Sequence, residues 1–179
     1  MRILLVDNAD SFTRNLEHLL LATVPGSVVR VVPYARLAEA DTVDAQLVVI
    51  SPGPGRPEDY PAYDRVLAAG GPVLGVCLGM QIINRWRGGR TAPLPGCVHG
   101  RAEAIDWAGE RQCVARYHSL HVTEVGRGLT VLARNDTGVI MALGSRADRL
   151  LGYQFHPESF MTFDGGTFIA HALDFLDLS

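Results

Sequence analysis

The sequence predicts an α/β fold: an open, mostly parallel sheet with helices on both faces and an additional small antiparallel sheet. In the first half of the 179 residues, short apolar runs alternate with apolar stripes at helical spacing, the pattern of a parallel sheet covered on both sides. The second half breaks into short strand candidates separated by turn residues. No internal repeat, linker or low-complexity tract interrupts the chain, so residues 1–179 read as a single domain.

Residues 3–7 form a short apolar run ending in Asp7, which reads as a buried strand. Asp10 and Ser11 are suited to cap the helix that follows, in which Phe12, Leu16, Leu19 and Leu20 fall on one stripe. Pro25-Gly26 ends it. Strands are predicted over 28–32 and 47–50, the latter running directly into Ser51-Pro52-Gly53-Pro54-Gly55, which cannot be regular structure. A helix over 61–69, a strand over 73–76 and a helix over 78–86 follow. Short strands are then expected at 101–107, 112–116, 120–124, 129–133, 139–142 and 150–155, with a closing helix over 166–176.

Composition narrows the function classes. Hydrophobic residues make up 47% and charged residues 20%, as in ordinary globular proteins. A net charge of −3 gives no electrostatic case for nucleic acid or an anionic membrane surface. No apolar run approaches the ~18 residues of a membrane span, and an aspartate at position 7 comes too early for a signal peptide. Three cysteines, Cys77, Cys97 and Cys113, form no CxxC pair, and the histidines lack metal-ligand spacing. Free thiols in a reducing, cytoplasmic setting are expected. Cys97 and Cys113 are read as structural, and His18, His99, His121 and His171 as surface or packing residues.

The chemistry concentrates at two places. Gly75-Val76-Cys77-Leu78-Gly79 ends a strand and opens a helix. A nucleophile on such a turn sits on a strained corner with its side chain presented to a ligand. The positive helix terminus favours its thiolate, and the Leu78 N–H can face a developing oxyanion. In isolation a GxCxG could equally bury a small apolar cysteine. The second place is Gln154-Phe155-His156-Pro157-Glu158-Ser159. His156 follows a strand, Pro157 sharpens the turn, and Glu158 two residues on can reach the imidazole. A thiol needs such a base, and the base an orienting group.

Together these residues resemble the class I (triad) glutamine amidotransferases, and within them the glutaminase subunit of anthranilate and aminodeoxychorismate synthases. Three further segments carry the resemblance: Asp7–Leu16 (DNADSFTRNL), Ser51–Gly55 (SPGPG) and Arg116–Leu120 (RYHSL). It covers essentially the whole chain and implies a single glutamine amidotransferase type 1 domain of flavodoxin-like fold. Ala9, where a large residue is frequent, and Met80, where histidine is frequent, depart from the pattern.

The resemblance implies that Cys77 is the nucleophile, His156 the base and Glu158 its orienter. It implies an oxyanion hole from the N–H groups of Gly53 and Leu78. L-glutamine is expected to be held by Gly53, Pro54, Gly55, Gln81 and the backbone of Ser119 and Leu120. No metal or cofactor is implied in this chain; magnesium is expected in a larger, chorismate-binding synthase partner that receives ammonia. The alternatives are a glutaminase for a different synthase, a γ-glutamyl hydrolase, or a catalytically silent regulatory subunit.

Overall fold

The computed structural model describes residues 1–40, 42, 44–96 and 100–179. Cys97 and His99 lie outside the described residues. The chain runs β1 (Arg2–Asp7), α1 (Thr13–Thr23), β2 (Val28–Pro33), β3 (Leu47–Ile50), α2 (Tyr63–Ala68), β4 (Val73–Val76) and α3 (Leu78–Trp86). Then come β5 (Arg90–Pro93), β6 (Arg101–Trp107), β7 (Glu110–Arg116), β8 (Leu120–Glu124), β9 (Thr130–Arg134), β10 (Ile140–Ser145), β11 (Leu150–Tyr153) and α4 (Gly165–Phe175). Short 3₁₀ turns occupy Tyr34–Glu39 and Pro57–Asp59.

The main sheet has seven strands in the order β2-β1-β3-β4-β11-β10-β9. Strands β2, β1, β3, β4 and β11 are parallel neighbours, and β10 and β9 are added antiparallel. The predicted small antiparallel sheet is two separate ribbons, β5–β8 and β6–β7. Strand alternation divides the core between the faces. Ile3, Leu5 and Val49 pack with Leu16 and Leu20 of α1 and Phe168 and Ile169 of α4. Leu4, Val6 and Ile50 pack on the other side with Val66 and Leu67 of α2 and Ile82 and Ile83 of α3.

Strand order reverses between β1 and its two neighbours, β2 and β3. Ligands in open α/β sheets bind outside the carboxyl ends of strands at such a switch point. Asn8, the Ser51–Gly55 loop and Cys77 leave the sheet just past the ends of β1, β3 and β4.

Two local expectations are corrected. Neither Asp10 nor Ser11 caps α1: Phe12 is at the cap position and makes no side-chain bond. Asp10 instead accepts from the Phe12 N–H at 2.8 Å and forms the turn ahead of the helix. The strand expected over 150–155 stops at Tyr153, because His156 leaves the sheet to pair with Ala115.

Candidate active site

Cys77 sits between β4 and α3 with φ 54° and ψ −101°. A non-glycine residue held there stores about 1–3 kcal/mol of strain and persists only where its surroundings over-determine it. They do here. The Cys77 N–H donates to the Tyr153 carbonyl at 2.6 Å, and its carbonyl accepts from the Gln81 N–H at 3.3 Å. The flanking glycines allow the close crossing. A Cβ on Gly75 would lie 2.4 Å from the Gly79 carbonyl carbon, and one on Gly79 would lie 2.5 Å from the Ile50 oxygen. Met80 is fully buried; it packs on Gly152 of β11, an apolar role that accounts for the departure at this position.

His156 and Glu158 follow β11 in an irregular segment clamped to the β6–β7 ribbon. The His156 N–H donates to the Ala115 carbonyl at 3.1 Å. The Thr162 hydroxyl donates to the His156 carbonyl at 2.5 Å and accepts from the Ala115 N–H at 2.9 Å. Phe12 and Tyr117 flank the imidazole with ring centroids 5.3 and 5.0 Å away. The ring Nδ1 lies 2.7 Å from Glu158 Oε1, which fixes Nδ1 as the protonated nitrogen and leaves Nε2 for proton transfer. Nε2 makes no hydrogen bond among the described residues. Burial works to lower the His156 pKa, but the neighbouring Cys77 sulfur and the Glu158 carboxylate outweigh it and hold the pKa well above the ordinary value.

These groups open onto a cavity of about 250 Å³ lined by Pro52, Gly53, Pro54, Gly55, Cys77, Leu78, Gln81, Ser119, Leu120 and His156. Every expected glutamine-site and oxyanion residue is therefore on one wall or another of it. Glu158 stands behind His156, with its side chain wholly shielded from solvent. Gly53 lies against Leu78: a Cβ there would come within 2.7 Å of Leu78 Cδ2 and 2.6 Å of Asn8 Cβ. The loop is pinned from both sides. The Asn8 amide donates to the Ser51 carbonyl at 2.9 Å, Tyr63 Oη donates to Asn8 Oδ1 at 2.6 Å, and Tyr60 Oη donates to the Pro54 carbonyl at 2.9 Å.

Gln81 donates from Nε2 to the Leu120 carbonyl at 3.1 Å and to Gln154 Oε1 at 3.0 Å. The Ser119 carbonyl accepts from the Leu94 N–H at 2.8 Å. Sequence reasoning overlooked four residues that shape the site. Asn8 and Thr162 tie its loops, His118 lines the cavity, and Gln154 lies within 3.6 Å of Cys77 Sγ. All four stand in or beside the recognised motifs, yet only side-chain geometry gives them a role. Among the described residues no cluster of His, Cys, Asp or Glu is arranged to hold a metal ion, and no helix is long and apolar enough to cross a membrane.

A buried thiol on a strand-to-helix corner, sharing a cavity with an imidazole backed by a carboxylate, is the arrangement of a candidate nucleophilic site. The chain belongs to the family described as glutamine amidotransferase class-I, whose pattern it matches over residues 4–174. It is 41% identical to the pyocyanine-specific anthranilate synthase component 2 of Pseudomonas aeruginosa, covering 97% of this chain and 93% of that one. It is 42% identical to the aminodeoxychorismate synthase of Streptomyces griseus, over 97% of this chain and 26% of that protein. The chain thus spans about a quarter of the length of some curated relatives it matches. A solved structure of a putative GMP synthase subunit from Thermoplasma acidophilum superimposes with a TM-score of 0.85 at 19% identity, covering 99% of this chain and 94% of that one. At that identity the likeness speaks for the fold.

Proposed function

We propose that this chain is a glutaminase subunit that hydrolyses L-glutamine through a Cys77 thioester and supplies ammonia to a chorismate-aminating synthase. Cys77 Sγ attacks the side-chain amide carbon of glutamine while the proton passes to His156 Nε2. His156 returns the proton to the departing ammonia. It then takes a proton from water as the water attacks the thioester, and glutamate leaves with the thiol restored. Glu158 holds the ring tautomer and offsets the charge of the imidazolium. Both tetrahedral intermediates carry an oxyanion, which the Gly53 and Leu78 N–H groups are suited to bind; losing one such donor typically costs about 100- to 1,000-fold in rate. Glutamine is held by the Gly53–Gly55 loop, by Gln81 and by the Ser119–Leu120 backbone. No metal takes part in these steps.

The observation that carries this reading is the convergence of one cavity: Cys77, His156, Gly53, Leu78 and Gln81 line it, and Glu158 sits 2.7 Å behind the imidazole. The partner rests on the relatives' names, component 2 of one synthase and part of a much longer aminodeoxychorismate synthase. The test is glutamate release by the purified chain, alone and with a chorismate-aminating synthase. Slow release that the synthase stimulates, and that Cys77→Ala abolishes, is expected. Activity that survives Cys77→Ala overturns the nucleophile, and equal rates with and without the synthase overturn the partner.

A further inference from the structure

The glutaminase chemistry leaves one fully buried polar side chain beside the nucleophile without a task. Gln154 has no exposed surface, and its amide nitrogen lies 3.6 Å from Cys77 Sγ. The direction of its amide is fixed by a chain of contacts that begins at a backbone carbonyl. The Leu120 oxygen can only accept, so the Gln81 atom 3.1 Å from it is the amide nitrogen. His118 Nδ1, 2.7 Å from the same oxygen, must also carry a hydrogen. The second hydrogen of Gln81 Nε2 then meets Gln154 at 3.0 Å, which makes the facing atom Oε1. That leaves Gln154 Nε2 turned toward sulfur. The orientation follows from the network.

We propose that Gln154 is a further catalytic residue: it donates a hydrogen bond to the Cys77 sulfur, stabilises the thiolate, and is locked in that orientation by Gln81. A donor that is itself fully buried favours a charged partner more than it would in water, because solvent does not compete for the donor. Gln81 also lines the cavity, so the same amide that faces the substrate holds the group that faces the nucleophile. The pair thereby joins the glutamine-binding wall to the reacting sulfur through 3.0 and 3.6 Å contacts.

This inference rests on the glutaminase reading, and its test separates the two. The rate of Cys77 alkylation by iodoacetamide is followed against pH by mass spectrometry in wild type, Gln154→Met and Gln154→Glu. Glutamine kcat and KM and the melting temperature are measured alongside. Glu keeps the shape and still offers an acceptor to Gln81, whereas Met removes acceptor and donor together; the melting temperature reports what each substitution costs the fold. At pH 6.5 alkylation falls about tenfold in Gln154→Met, the loss expected for one hydrogen bond to a charged group. It falls further in Gln154→Glu, where a carboxylate replaces the donor. Both pH profiles move to higher pH, and kcat falls while KM stays within about twofold. A residue that only packs lowers the melting temperature without ordering the profiles Gln, Met, Glu. If wild type labels at Cys77 and hydrolyses glutamine but the three profiles superimpose, this inference fails and the glutaminase reading stands. If wild-type Cys77 reacts no faster than the exposed Cys113 and no glutamate is released, both fail.

Discussion

His118 and His156 both line the cavity beside Cys77, and their surroundings push them in contrary directions. For His156, burial works downward, but the Cys77 sulfur and then the Glu158 carboxylate outweigh it and hold its pKa well above the ordinary value. For His118, burial dominates and pushes it down to about 4, against the smaller raising effect of its bond to the Leu120 carbonyl. His118 is thus neutral at pH 7, with Nδ1 the donor and Nε2 an acceptor. A consequence for stability follows from linkage. Between pH 6.5 and about 4 the unfolded chain binds a proton at this position that the folded chain resists, so His118 makes stability fall as pH falls through that window. Comparison with His118→Gln isolates the effect: the stability of wild type relative to the variant is flat above about pH 6.5. It declines by about 3 kcal/mol on the way to pH 4, the size set by a displacement from 6.5 to about 4. His156 carries the reverse sign, its contribution being full below its ordinary pKa and lost as pH rises through the raised one. Urea unfolding from pH 4 to 8 reads the difference; a constant gap between wild type and variant contradicts it.

The element that presents Cys77 to the cavity is the β4–Cys77–α3 corner, and its tolerances are measured in tenths of an ångström. Gly79 has no room for a side chain, since the atom 2.5 Å from its would-be Cβ is the backbone oxygen of Ile50 in the neighbouring strand. Gly71, just ahead of β4, meets nothing within 4 Å. Gly79→Ala is expected to destabilise the fold by roughly 2 kcal/mol or more and to displace Cys77. Gly71→Ala is expected to change stability by no more than about 0.5 kcal/mol. Thermal melting and glutamate release of the two variants check this, and equal losses in both contradict it. The corner was also the most legible part of the chain. Residues 47–50, 73–76 and 78–86 are found where the sequence puts them, because buried central strands are continuous apolar runs and the helix opens at a glycine-bounded turn. Strand β5 was missed because Arg90-Thr91-Ala92-Pro93 carries no apolar alternation and is held by antiparallel pairing to β8. Such pairing depends on main-chain groups that every sequence shares.

At the scale of the molecule, the site is a product of topology. Asn8, Gly53, Cys77 and His156 come from separate segments and meet because they follow the carboxyl ends of β1, β3, β4 and β11 in the main sheet, and Leu120 joins them from the start of β8 in a separate ribbon. The sequence carried the alternation of strand and helix and the motif segments that meet at the cavity, since each has a local signature. It did not carry the splitting of the antiparallel part into two ribbons, nor the clamp that Thr162 makes between His156 and Ala115, because both depend on contacts between segments distant in the chain, 47 residues apart for Thr162 and Ala115. The buried Arg116–Glu103 ion pair, with Asn135 donating to the same carboxylate at 2.9 Å, is a third contact of this kind. It joins β6, β7 and the residue after β9.

The measurement that tests the central claim most directly is mass-spectrometric mapping after treatment with a glutamine-like electrophile, with and without excess glutamine. Because Cys77 shares its cavity with His156, whereas Cys113 is exposed on β7, reactivity and protection should coincide at one residue. The account predicts a single label at Cys77 that glutamine blocks. Labelling at Cys113 or Cys97 to the same extent, unaffected by glutamine both in the free chain and with the synthase present, would contradict it.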